Sequence, residues 1–353
     1  MKKRFKMLFF AIVIALAIMQ LTLLADTVSN IGWPTSNPNI SFALVGSAMN
    51  EPWNSNIRTA TASWHNHVQF NLNATTTAGP LANNVSVTHV SNNYYGWITG
   101  ELHDNGRHMR NFQIFLNNFR IQNRDAVIRS VMAHELGHVL WLADTSYANS
   151  IMNTNRDRTR LTAPTTRDIN IVRSVFNSGA RIEDELYVCA YTSPSYVLDR
   201  PNKMFFSADS PYFASVESLI SDTANIVRGR VIDSRVEYLD ILTTNCIPFT
   251  ITTFFVEDSY RGGLSDGHYI EVIQPGGQTE NTILKPSSFT SFSEAGEYVL
   301  FLSADTSQMH FLSSPTQAAY IYNPHARSPF DMLESVCSYN SLTLTYDDIL
   351  QAE

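Results

Sequence analysis

Cysteine is scarce in this chain. Cys189, Cys246 and Cys337 are the only three, and all of them follow residue 180. An odd number at wide spacing excludes a disulfide scaffold and a zinc ribbon. One bridge plus a thiol, or three buried apolar cysteines, are the readings that remain. Charge is also sparse, at 16% of residues, and it leans acidic, with 24 Lys and Arg against 32 Asp and Glu. A chain with no basic excess lacks the field that attracts a polyanion, so no nucleic-acid partner is expected. Internal repeats are absent. Long apolar runs are absent too, except for Met7 to Leu24, which follows Lys2, Lys3, Arg4 and Lys6 and gives way to Ala25 and polar Asp26-Thr27. That order reads as an export signal over residues 1–25 and a secreted, extracellular protein. If it is not cleaved, residues 7–24 would be the membrane contact, anchoring a protein that faces outward. At about eighteen residues the run sits near the lower limit for a span. No cysteine follows it to carry a lipid.

What is present divides into two parts. At 353 residues the chain is long enough for two cores. Ile40 to Val45 alternates like a strand, and Asn54 to Asn66 sets Ile57, Ala60 and Trp64 at helical spacing. Further strands are expected at Val68 to Leu72, Val85 to Val90, Tyr95 to Leu102 and Asn111 to Asn117. A helix is expected to start near Asn123 or Asp125, and another near Thr162 to Asp168, ending at Asn177-Ser178-Gly179. A boundary is placed at about 180. Beyond it a short helix over Ser215 to Asp222 precedes strand-like runs at Val227 to Ile232, Phe249 to Val256, His268 to Ile273 and Tyr298 to Leu302. Glycine turns separate these runs, as in a β-barrel or sandwich.

The chemistry is concentrated in Ala133-His134-Glu135-Leu136-Gly137-His138-Val139-Leu140-Trp141-Leu142-Ala143-Asp144. Helix positions i and i+4 share a face, so His134 and His138 can direct two imidazoles at one metal ion. Glu135 lies beside that face, where a carboxylate can take a proton from water. A catalytic zinc needs three protein ligands and one open position, and Asp144 is the candidate third. The alternative third ligand is Glu183 or Glu185, although Glu183-Asp184-Glu185 also reads as a solvated linker. His65, His67, His89, His103 and His108 do not form a ligand pattern. A structural calcium ion is not legible.

His134-Glu135-Leu136-Gly137-His138, an acidic residue at the third-ligand place and Ser150-Ile151-Met152 resemble the metzincin zinc endopeptidases. The helix expected after Pro164-Thr165-Thr166-Arg167-Asp168-Ile169 is similar to the last helix of matrixin-type catalytic domains. The resemblance spans about residues 38–180. It implies one catalytic Zn2+ held by His134, His138 and Asp144, with Glu135 as general base and Met152 in a turn that supports the metal from below. It also implies a protein or peptide substrate laid along an edge strand, Tyr94 to Glu101, by β-addition, so that Tyr95, Gly96, Trp97, Ile98 and Thr99 bind it. Asn153 to Thr159 would then wall the pocket beyond the scissile bond.

The chain departs from that family at three places. Aspartate stands where most members have histidine. Thr154 stands where some relatives use a tyrosine. Trp141 stands where the family turns on glycine in a left-handed conformation, and a tryptophan there costs about 1–2 kcal/mol. Either the turn differs or packing of the indole offsets the strain.

The implied architecture is α+β. A metzincin-like catalytic domain over 26–180, a mixed twisted sheet with a zinc helix and a C-terminal helix, precedes an all-β barrel-like domain over 181–353. The latter, from Ala224 to Leu302, loosely resembles netrin-like OB modules. That family includes metzincin inhibitors, so intramolecular regulation is one expectation for it. The expected function is a secreted zinc endopeptidase; the alternative is a catalytically silent exported binding protein on the same scaffold.

Overall fold

The computed structural model describes residues 29–352 apart from 30, 35–38, 66–70, 76–82, 104, 179–201, 240, 242–246, 287–288, 304–308, 325–331, 338–339 and 341. The expected signal, Glu183, Glu185, Cys189, Cys246 and most of the strand expected at 68–72 lie outside the described residues. Among the described residues no helix is long and apolar enough to cross a membrane.

The chain is a mixed α+β fold built on two eight-stranded sheets. The first sheet takes β1 (Asn39–Leu44), β2 (Asn71–Thr75), β3 (Asn84–Thr88), β4 (Gly96–Glu101) and β5 (Gln113–Asn117) from the region before residue 180. Two helices lie on one face, α1 (Trp53–His65) and α3 (Asp125–Val139), with a four-residue helix α2 (Asn118–Ile121) between β5 and α3. Period-two alternation decides which side chains meet them. Ile98, Ile114 and Leu116 join the core under α3, whereas Trp97 and Phe115 point to the opposite face and stack at 5.5 Å between ring centroids. Helix α3 is apolar nearly all round and is buried from Val127 to Val139 except for Arg129, as a helix between a sheet and a second helix must be. Trp64 of α1 crosses to it, donating its indole N–H to the Ala133 carbonyl at 2.9 Å. Gly96 lets α3 approach the sheet, because a Cβ there would stand 2.6 Å from Val131 Cγ1. The expected closing helix is α4 (Thr166–Ser178).

The sheet does not stop at residue 180. β6 (Asn202–Asp209) pairs antiparallel with β4, and β11 (Thr282–Pro286) and β10 (Gly277–Gln278) extend the sheet further. The order is therefore β10-β11-β6-β4-β5-β3-β1-β2. This corrects one expectation: β4 is not an edge strand, because its outer hydrogen-bonding side is taken by the chain's own β6.

The second sheet follows a capped helix α5 (Val216–Asp222). It contains β7 (Asn225–Leu239), β8 (Ile247–Arg261), β9 (Tyr269–Pro275), β12 (Glu297–Leu302) and β13 (Met309–His310), then β14 (Ala319–Ile321), β15 (Met332–Ser335) and β16 (Leu344–Thr345). β13 pairs with β9, and a bridge between Leu302 and Leu312 returns the chain to β12. Strands β7, β8, β9, β12 and the segment 309–312 thus close a ring, with Val227, Phe254, Val256, Tyr298 and Leu300 packed together on one of its faces. Residues Ile247, Phe249 and Ile251 of this sheet pack with Tyr94, Trp97 and Phe115 of the first, so one apolar cluster welds the two sheets.

Trp97 is fully buried in that weld. Trp97→Ala should lower stability by about 3–5 kcal/mol in urea unfolding. A loss under about 1 kcal/mol would mean that the weld does not carry the fold.

Candidate metal centre

The site lies at the C-terminal end of α3. His134 and His138 stand one turn apart with their rings edge to face, 4.8 Å between centroids. Each ring is oriented by a backbone carbonyl, with His134 Nδ1 3.0 Å from the Ile151 oxygen and His138 Nδ1 2.9 Å from the Leu142 oxygen. A carbonyl can only accept, so these contacts place the proton on Nδ1 and turn Nε2 toward Asp144, although Arg156 Nη1, itself only a donor, also lies 3.2 Å from His134 Nδ1. Burial pushes His138 down to about 4, against the pull of Asp144, so its imidazole is neutral as ligation requires.

The route from His138 to the third residue is a Schellman cap. The Leu142 amide donates to the Gly137 carbonyl at 2.9 Å and the Trp141 amide to the His138 carbonyl at 3.3 Å. The left-handed residue between is Trp141, at φ 70°. Glycine is the usual occupant. Here the indole is buried, donates its N–H to the Trp33 carbonyl at 2.7 Å, and lies flat against Gly32, where a Cβ would stand 2.5 Å from the ring. The glycine has in effect moved across the contact to residue 32. The turn is the left-handed one, and packing offsets its strain.

Beyond it, Asp144 Oδ1 reaches 3.2 Å from His134 Nε2 and 3.7 Å from His138 Nε2. Tetrahedral zinc with ligands at about 2.0–2.1 Å sets them roughly 3.3 Å apart. The donor set of two imidazole nitrogens and one carboxylate oxygen suits that ion, and His134 Nε2 and Asp144 Oδ1 are buried without a hydrogen-bond partner. Orphaned polar atoms of this kind are costly unless a ligand satisfies them. The residues therefore fit a zinc ion. They form the one metal-competent cluster of His, Cys, Asp or Glu among the described residues, and no other described histidine joins it.

Glu135 is fully buried beside the cluster, with neither carboxylate oxygen in a formed hydrogen bond. Burial raises its pKa well above the usual carboxylate range, and Asp209 and Asp144 add to the effect. Arg156 and the Asp209 amide offset part of this, and a divalent cation would add further counter-charge. Met152 packs under the helix, where a Cβ on Gly137 would collide with its sulfur. Thr145 donates its amide to the Met152 carbonyl at 3.1 Å, which ties the turn to the chain leaving Asp144.

Several residues that hold this centre are not evident from the motif. Asp168 accepts from Ser150 Oγ at 2.5 Å and from the Ile151 amide at 2.9 Å, so it holds the residue whose carbonyl orients His134. Thr165-x-x-Asp168 has capping spacing, but nothing in it announces the second task. Arg156, buried at 5% exposure, donates to Ser130 Oγ, the Asn153 carbonyl and both oxygens of Asp209. Arg158 binds the same carboxylate at 2.6 Å and lies 4.2 Å above the Tyr95 ring. Burial alone would raise Asp209, but the two guanidinium groups hold it well below the usual range. Of the expected substrate strand, Gly96 lies beside the base, where an added Cβ would stand 3.4 Å from Glu135 Oε1. Residues Gly96 to Thr99 are register partners of β6, and Tyr95 donates its amide to the Asp209 carbonyl at 2.9 Å.

No protein-family model matches this sequence, and no curated protein matches it. A solved structure of myroilysin is similar at 13% identity and a TM-score of 0.30, over 42% of this chain and 97% of that one. A likeness at that level carries no weight for function, which rests on the geometry of the site.

Trp141→Gly sets two effects against each other. It relieves about 1–2 kcal/mol of backbone strain and removes a buried indole, where truncation costs about 3–5 kcal/mol. The variant should therefore be less stable by a net of roughly 1–4 kcal/mol in chemical denaturation. A more stable variant would mean that strain dominates the turn.

Proposed function

We propose that the chain is an exported, zinc-dependent endopeptidase of metzincin type. In this reading residues 26–180 carry the reacting groups and 181–353 form a β-rich accessory region. The observation that carries it is the meeting of His134 Nε2, His138 Nε2 and Asp144 Oδ1 beside a buried Glu135. A zinc ion bound there supplies Lewis acidity, acidifying a water and polarising a peptide carbonyl. Glu135 takes the proton of the attacking water and returns it to the leaving amine. Ile151 and Leu142 hold the imidazole protons on Nδ1, and Asp168 keeps the Ile151 carbonyl in place. Met152 and the apolar end of α3 exclude water from below. An extended peptide could pair with β4, at Tyr95, Gly96, Trp97, Ile98 and Thr99, only after β6 has left that edge.

The second reading, a silent exported binding protein, is favoured by one observation, the occupation of β4 by β6. Glu135 separates the two. Glu135→Ala should retain one zinc by metal analysis and lose about 10²–10⁴-fold in cleavage of an unstructured protein substrate. Chelation should abolish the cleavage by the wild type. Equal, chelator-insensitive behaviour of the two chains would sink the peptidase reading.

A further inference from the structure

The fourth corner of the metal centre is filled by the chain itself. We propose that β6 is an autoinhibitory strand, which takes the place of an extended peptide on β4 and sets the Ser207 hydroxyl at the open ligand position. This role for β6 rests on the reading of His134, His138 and Asp144 as metal ligands.

The pairing is long and has one direction. Six consecutive register partners, from Glu101 with Met204 to Gly96 with Asp209, run antiparallel. An added peptide strand would use this same backbone edge. Side chains alternate as a strand requires. Phe205 joins the core beneath α3, Ser207 meets His138 and Asp209 meets Arg156, whereas Phe206 and Ala208 join the cluster on the far face. Two residues of β6, Ser207 and Asp209, are thereby directed at the site, and Phe205 at the core beside it.

Ser207 Oγ lies 3.0 Å from His138 Nε2. That is close to the roughly 3.3 Å between neighbouring ligands of a tetrahedral zinc. Since the Nδ1 proton of His138 is committed to Leu142, Nε2 accepts here and the hydroxyl donates. With a metal ion between them, the same oxygen is placed as a ligand. A centre with three protein ligands and an exchangeable fourth is catalytic, and one with four protein ligands is closed. The strand thus converts the first kind into the second.

Asp209 is the latch. Its carboxylate is fully buried and receives Arg156 and Arg158, and Arg156 also grips Ser130 of α3 and the Asn153 carbonyl after the methionine turn. Lifting β6 away would leave two guanidinium groups without the carboxylate they hydrogen-bond, which is strongly unfavourable in a buried site. The closed arrangement is therefore the resting one. Opening requires either a movement of the 202–209 segment with its arginines or an incoming carboxylate that replaces Asp209.

The test uses the full-length chain loaded with Co2+. Ser207→Cys, close in size to the native residue, should give a thiolate-to-cobalt charge-transfer band that the wild type lacks. Ser207→Ala should bind acetohydroxamate at the loaded metal at least about tenfold more tightly than the wild type, and should cleave an unstructured protein faster. A Ser207→Cys chain that holds stoichiometric cobalt without the band would overturn the proposal. So would a Ser207→Ala chain with unchanged acetohydroxamate affinity. If the wild type takes up no cobalt, the metal reading itself fails, and the autoinhibitory strand falls with it.

Discussion

A left-handed residue at the end of a buried helix sets the geometry of this site, and that residue is a tryptophan. The Schellman cap at Gly137, His138, Trp141 and Leu142 turns the chain sharply enough that Asp144 comes back over His134 and His138. The same turn presents the Leu142 carbonyl to His138 Nδ1, so one backbone feature positions a ligand and selects the tautomer of another. A bulky side chain at φ 70° is unfavourable alone. It persists because the indole is sealed against Gly32 and bonded to Trp33. The N-terminal segment at residues 31–33 is thus part of the support of the candidate metal centre, one packing layer removed from it.

Charge buried around the centre has a common logic. Asp168 bonds the peptide that orients His134, and Asp209 gathers Arg156 and Arg158 within reach of Glu135. Each of these groups is costly to bury alone and acceptable only with its partners in place. The result is a rigid polar shell around a small set of atoms, His134 Nε2, Asp144 Oδ1 and the Glu135 oxygens, that the protein leaves unsatisfied. Such incompleteness is what a bound cation would resolve. The region past residue 180 takes part directly, because β6 brings Ser207 and Asp209 to the site while β8 and β9 back the sheet with Phe249, Ile251 and Ile273.

Local signals made much of this legible. The i, i+4 histidines and the apolar positions around them mark α3. Period-two alternation marks β1, β3, β4 and β5, and the spacing of Ile169, Val172 and Val175 marks α4. The path to Asp144 was ambiguous because Trp141 argues against a left-handed turn by itself, and the residue that resolves it, Gly32, lies more than a hundred positions away. The state of β4 was not legible at all. Tyr95 to Leu102 reads as a strand, but nothing local says whether its outer side is free. Its partner is a segment beyond the boundary placed at 180, and the pairing depends on an ion cluster joining Arg156 and Arg158 to Asp209. Buried arginines look like surface ones in a sequence. Strand order across long separations, as in β4 with β6 and β6 with β11, is likewise decided by tertiary packing and not by pattern.

The central claim is that this chain holds one zinc ion on two imidazoles and oxygen. X-ray absorption at the zinc edge of the purified full-length chain addresses it most directly. The account predicts one zinc per chain, with two imidazole nitrogens and oxygen ligands at about 2.0–2.2 Å and no sulfur in the coordination shell. A chain that binds no zinc, or binds it through cysteine sulfur or a single imidazole, would contradict it.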